Sequence, residues 1–99
     1  MAKKTIYLGA DHAGFALKEK VKQWLLSQNL SVYDEGAYAL DAKDDYPIYA
    51  AKVARKVVQQ KAAGILICGS AQGMGITANK VKGIRAAVPF SVKEAQLAR

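Results

Sequence analysis

The stretch Gly64-Ile65-Leu66-Ile67-Cys68-Gly69-Ser70-Ala71-Gln72-Gly73-Met74-Gly75 decides the fold. Ile65-Leu66-Ile67-Cys68 is an unbroken apolar run, the pattern of a strand covered on both faces within a parallel sheet. A glycine-rich loop follows, and Ile76-Thr77-Ala78-Asn79-Lys80-Val81 reads as a short helix. Upstream, Pro47 suits the first turn of a helix, and Ala50, Val53, Ala54, Val57 and Val58 mark its buried stripe. Lys61-Ala62-Ala63-Gly64 ends that helix. The polar stretch 37–45 reads as a loop, with Asp44 and Asp45 as solvation and N-cap. Further upstream, Leu30-Ser31-Val32-Tyr33-Asp34 alternates like a strand. Phe15 to Gln28 carries Leu17, Val21, Trp24, Leu25 and Gln28 near helical spacing, with lysines on the solvated face and Asn29 as a C-cap. Thr5-Ile6-Tyr7-Leu8-Gly9-Ala10 is a buried strand, turned by Asp11-His12-Ala13-Gly14. Downstream, Ile84-Arg85-Ala86-Ala87-Val88 predicts a fourth strand, and a further helix starts at Ser91. That helix is still running at Arg99, without cap or breaker, which predicts a chain cut at its C-terminus. Alternating strands and helices predict an α/β fold, a parallel sheet with helices on both faces, over a single domain of residues 1–99.

Composition narrows the classes of function. Hydrophobic residues are 52% of the 99 and charged residues 23%, a globular rather than a disordered balance. One cysteine excludes an intramolecular disulfide and a multi-cysteine zinc site, and with one histidine beside it no metal site is expected. No apolar run approaches the roughly 18–20 residues of a membrane span, and the run Ile6-Tyr7-Leu8 is too short for a secretory signal. A soluble cytoplasmic protein with no membrane partner is expected. Fifteen basic against eight acidic residues give +7, but the lysines and arginines are spread over several segments. That distribution suits solvated helix faces rather than a nucleic-acid surface, and its positive field favours a small anionic substrate.

Candidate chemistry falls at the carboxyl ends of the predicted strands, where ligands bind in open parallel sheets. Asp11 and His12 follow the first strand; Cys68 and Ser70 follow the third. The spacing Gly9 to Gly14 imitates a phosphate-binding loop, but Phe15-Ala16 stand where lysine and a hydroxyl residue are needed, so a nucleoside triphosphate site is excluded. No dinucleotide fingerprint occurs either, and no cofactor is expected. A strand–glycine loop–helix junction presents unpaired backbone N–H groups, a cradle for a phosphate or a developing oxyanion. A helix N-terminus beside a thiol favours the thiolate, the form that acts as general base or nucleophile. Against this, Cys68 alone reads as a small buried hydrophobe, His12 as a satisfied turn residue and Asp11 as a turn or capping residue. Their shared place at strand ends is what favours chemistry.

Several segments taken together resemble the ribose-5-phosphate isomerase B family, with the galactose-6-phosphate isomerase subunits as its wider group. They are Gly9-Ala10-Asp11-His12-Ala13-Gly14-Phe15 with Leu17-Lys18, Asp45-Tyr46-Pro47 with Tyr49-Ala50, Gly64 through Ser70, Gly73-Met74, and Ala78-Asn79-Lys80-Val81 with Gly83-Ile84-Arg85-Ala86. The resemblance implies a Rossmann-like three-layer α/β/α fold and aldose–ketose isomerisation of a phosphorylated sugar through a cis-enediolate, without cofactor or metal. It implies Cys68 as the general base and Ser70 as an aid to ring opening. It places the backbone of Gly69, Ser70, Ala71, Gln72 and Gly73 as the anion hole, Asp11 and His12 as sugar- and phosphate-side contacts, and Tyr46 in the pocket wall. Asn79 and Arg85 are read as structural.

The chain departs from the family pattern in three places. Ala71 stands where the family has glycine, and Met74 where one branch has a glutamate, leaving Cys68 as the candidate base of this loop. The family also continues past the position of Arg99 into a last strand and a C-terminal helix, with a ring-opening histidine and phosphate-binding arginines, and it assembles as homodimers or homotetramers. A 99-residue piece is accordingly expected to turn over weakly or not at all. The alternatives to the enzyme are a non-catalytic sugar-phosphate-binding or assembly module and, on charge alone, a nucleic-acid-binding domain.

Overall fold

The computed structural model describes residues 4–36, 46–69, 72–89 and 91–98. Strand β1 (Thr5–Ala10) leads through the turn at residues 11–14 into helix α1 (Phe15–Ser27), and β2 (Ser31–Asp34) returns to the sheet. Helix α2 (Tyr46–Gln60), β3 (Ala63–Ile67), α3 (Gln72–Asn79) and α4 (Val92–Ala98) complete the chain. The sheet is parallel, in the order β2-β1-β3. Register places Tyr7 opposite Tyr33 and Gly64, and Ala10 opposite Ile67.

The helices cover both faces, as the alternation predicts. A methyl group added at Gly64 would stand 2.8 Å from Val53 and Val57 side-chain atoms, and one at Gly9 2.7 Å from Val53. Helix α2 therefore lies on the Tyr7–Gly9–Gly64 face, pressed close because Gly9 and Gly64 lack a side chain. Asp34 pairs with Leu8 and so points to the opposite face, where Lys18 of α1 reaches it. Among the described residues the core is Tyr7, Leu8, Ala10 and Leu25, with Ala50, Val53 and Ala54 from α2 and Met74 and Ala78 from α3.

Four expectations are corrected, three in α1, α3 and β3 and one in the segment after α3. In α1, Leu17 and Trp24 are 54% and 60% exposed, whereas Lys18 is fully buried. The inward stripe runs through Lys18 and Leu25, because Asp34 neutralises the lysine there. Helix α3 starts at Gln72 and not at Ile76, so Gly73 and Gly75 belong to the helix rather than to the loop. Similarly, β3 starts two residues earlier than its apolar run, taking in Ala63 and Gly64.

The fourth strand does not form: residues 84–89 are without regular structure. The Asn79 side chain takes both main-chain groups of Ala86, donating to its C=O (3.0 Å) and accepting from its N–H (2.8 Å). Pro89 has no N–H to offer a ladder. Two terminations agree with the reading, since Asn29 adopts φ 61 just past α1 and Lys61 adopts φ 50 just past α2. Ser91 caps α4, its Oγ accepting from Glu94 N–H at 3.1 Å, yet no residue of α4 is buried. The expected loop 37–45, with Asp44 and Asp45, lies outside the described residues.

Candidate active site

The ends of β1 and β3 converge because the two strands are hydrogen-bonded neighbours. Ala10 and Ile67 are register partners, so the next residues, Asp11 and Cys68, leave the sheet side by side. Gly14 draws them closer. A Cβ at this position would clash with the Ile67 carbonyl, so only glycine lets the start of α1 lie against the last residue of β3. A Cβ on Gly69 would stand 3.4 Å from Ala13 Cβ, which brings the following loop against the same turn.

Asp11 is 8% exposed, and its Oδ1 accepts from Gly14 N–H at 3.0 Å. The turn role is thus real for this carboxylate, and it fixes the side chain at the strand edge. His12 follows, half-buried, its carbonyl accepting from Phe15 N–H at 3.4 Å. Cys68 is a half-buried thiol outside any disulfide. Gln72 and Gly73 open α3, and the first N–H groups of a helix have no partner within it. Tyr46 is the first residue of α2, at the same sheet edge, with its side chain outside the described residues. Ser70 and Ala71 also lie outside them. Among the described residues, no three His, Cys, Asp or Glu side chains gather as a metal site, and no helix is long and apolar enough to cross a membrane.

Sequence reasoning missed the ionic group beside this edge. Lys18 Nζ lies 2.5 Å from Asp34 Oδ2 and 2.9 Å from Glu19 Oε1, and Lys22 Nζ shares Asp34 Oδ2 at 3.2 Å. Burial pulls the Lys18 ammonium toward neutrality. Its hydrogen bonds to Asp34 and Glu19 outweigh that and hold its pKa above 10.5. Burial likewise pushes Asp34 up, and the bonds from Lys18, Gly36 N–H and Lys22 hold it below 3.8. The signal was present in the spacing, since Lys18 stands seven residues from buried Leu25 on one helix stripe.

An apolar groove of about 460 Å³ runs along the outer side of β3, between Val53, Val57, Met74, Ala78, Ile84 and Val88. Asp11, His12 and Cys68 do not line it, so it is separate from the strand-end cluster.

Comparison with known proteins assigns the family. The ribose/galactose isomerase family model matches residues 6–99. The chain belongs to the ribose/galactose isomerase family. Among its relatives, ribose-5-phosphate isomerase B of Mycolicibacterium paratuberculosis is 45% identical over 95% of this chain and 60% of its own length. The Escherichia coli ribose-5-phosphate isomerase B is 42% identical over 97% of this chain and 64% of its own. A ribose-5-phosphate isomerase B from Mycoplasma genitalium, solved with bound ribulose-5-phosphate, superposes with a TM-score of 0.94 at 42% identity. That match covers all of this chain and 66% of the other. The Thermotoga maritima enzyme superposes at 0.93 with 44% identity, over 99% and 68% of the two chains. This member of the ribose/galactose isomerase family thus spans 60–64% of the curated relatives it matches.

Proposed function

We propose that the protein interconverts ribose 5-phosphate and ribulose 5-phosphate through a cis-enediolate, with Cys68 as general base. The observation that supports this reading is the Ala10–Ile67 register, by which the chain leaves the two strands at Asp11 and at Cys68 on one sheet edge. The likeness to a Mycoplasma genitalium isomerase holding ribulose-5-phosphate supports the substrate class.

A hydrogen on the carbon next to a carbonyl is weakly acidic. Its removal needs a placed base and donors for the oxyanion that develops. After ring opening, aided by Ser70, the Cys68 thiolate takes the C2 proton of the aldose. The C–H electron pair becomes the C1–C2 double bond, and the carbonyl oxygen at C1 takes up negative charge. Backbone N–H groups of residues 69–73 hold that charge. The thiol then returns the proton to C1, the C2 hydroxyl proton passes to the C1 oxygen, and the ketose carbonyl forms at C2. Asp11, His12 and Tyr46 orient the sugar and its phosphate. The reaction calls for neither cofactor nor metal. The reading places the protein in the cytoplasm, in pentose phosphate metabolism, as a homodimer or homotetramer of one domain type.

The test is conversion of ribose 5-phosphate by the protein beside Cys68→Ala. The expected result is weak turnover in the parent and a further loss of roughly 10²–10⁴-fold in kcat in the variant, the usual contribution of a positioned base. Equal turnover in both would remove Cys68 from the mechanism. Binding of ribulose 5-phosphate without turnover in either would replace the enzyme with a sugar-phosphate-binding module.

A further inference from the structure

We propose that the buried Lys18–Asp34 ion pair is the positioning element of this site, fixing where Asp11 and His12 stand beside Cys68. The inference rests on the sugar-phosphate reading above. Lys18 is fully buried and touches no solvent, so it acts through what it holds. Its ammonium bonds Asp34 Oδ2 and also lies 5.3 Å from the Phe15 ring centre. The other Asp34 oxygen, Oδ1, accepts from Gly36 N–H at 2.9 Å. Gly36, at φ 109, accepts from Ala10 N–H at 2.8 Å through its carbonyl, and Glu35 N–H donates to Leu8 O at 2.8 Å. One carboxylate therefore ties α1, the end of β2 and a turn laid across the last residues of β1. The residue after that tie is Asp11.

The other flank is held by the first main-chain bond of α1, at the residue that carries the buried ammonium. The Lys18 N–H donates to Gly14 O at 2.9 Å, and Gly14 is wedged against the Ile67 carbonyl. The four-residue turn carrying Asp11 and His12 is thus clamped at both ends, with the Lys18–Asp34 bond closing the loop between the clamps. A buried ion pair is weak evidence for stability, because desolvation offsets most of the attraction. Charge-assisted bonds do impose distance and direction, which apolar contacts in the same place would not.

The chain holds one histidine, so its ring signal in a proton–nitrogen NMR spectrum is unambiguous. The experiment compares Lys18→Met, Asp34→Asn and the control Lys22→Met with the parent. The signals followed are the His12 ring, amide exchange at Gly36 and affinity for ribulose 5-phosphate. Lys18→Met leaves Asp34 paired with Lys22, and Asp34→Asn leaves Lys18 paired with Glu19, so neither strands an uncompensated charge. Both are expected to keep the parent's circular dichroism and β3 amide protection. Both should move the His12 signal and speed Gly36 exchange on the order of tenfold or more. Lys22→Met should move neither. Unchanged His12 and Gly36 signals in the two folded variants would overturn the proposal while the isomerase reading stands, and so would equal changes in Lys22→Met. A parent that binds no ribulose 5-phosphate would remove the isomerase reading, and the His12 and Gly36 signals would still judge the ion pair.

Discussion

Lys18 shows at the residue scale how a charge joins a core. Lysine is almost never fully buried unless paired, and here the pairing is to Asp34, Glu19 and the face of Phe15. The pKa directions set the pH window of that pairing. Asp34 is held below its ordinary 3.8, so its contribution to stability is complete above that value and fades as the pH falls through the lowered pKa. Lys18 is held above 10.5, so its contribution is complete below that value and fades as the pH rises through the raised pKa. Urea midpoints of the parent and Asp34→Asn are therefore expected to differ by a constant amount around neutral pH and to draw together as the pH falls below 3.8. A difference that grows as the pH is lowered through and below 3.8 would contradict the account. The identity of this residue type did not reveal its burial. Lysine, read alone, belongs on the solvated face, and the partner that reverses this lies sixteen positions away on another element.

Among the elements, α3 and the segment 84–89 behave as a unit. Asn79 substitutes for a neighbouring strand by bonding both main-chain groups of Ala86, and it also donates to Gly75 O at 3.1 Å. Gly75 admits Val88, since a Cβ there would be 2.7 Å from Val88 Cγ2. Asn79→Ala is expected to cost about 1 kcal/mol, the net value of exposed hydrogen bonds, and to release the Ala86 amide to fast exchange. An Ala86 amide still protected in the variant would contradict the bracket. The elements differ in how far the sequence disclosed them. Strand β1 was legible to the residue, because its β-branched and aromatic run ends at a glycine-containing turn. Residues 84–88 carry an equally good strand pattern, yet a side chain on the preceding helix decides their state, and pattern alone does not record that. Gly64 was taken for a helix terminator. It is a strand residue whose missing side chain admits Val53 and Val57.

For the whole molecule, a Cα radius of gyration of 12.8 Å is close to the ~13 Å of a compact domain of about 100 residues. The parallel sheet is what makes a site of residues 57 positions apart in sequence, since neighbouring strands end at the same edge. That edge was legible from the order of elements, and the Ala10–Ile67 register brings the chain at Asp11 and at Cys68 to it. The roles of those side chains are chemistry that neither the strand pattern nor the turn can express. The clamp behind them was hidden, because Asp34 reads only as the last residue of an edge strand. The measurement that tests the central claim most directly uses the single cysteine. Alkylation of Cys68 by iodoacetamide, followed by mass, is to be timed with and without ribulose 5-phosphate, with unphosphorylated ribose as control. The account predicts that ribulose 5-phosphate slows the reaction in a saturable way and that ribose does not. An alkylation rate unaffected by saturating ribulose 5-phosphate would contradict it.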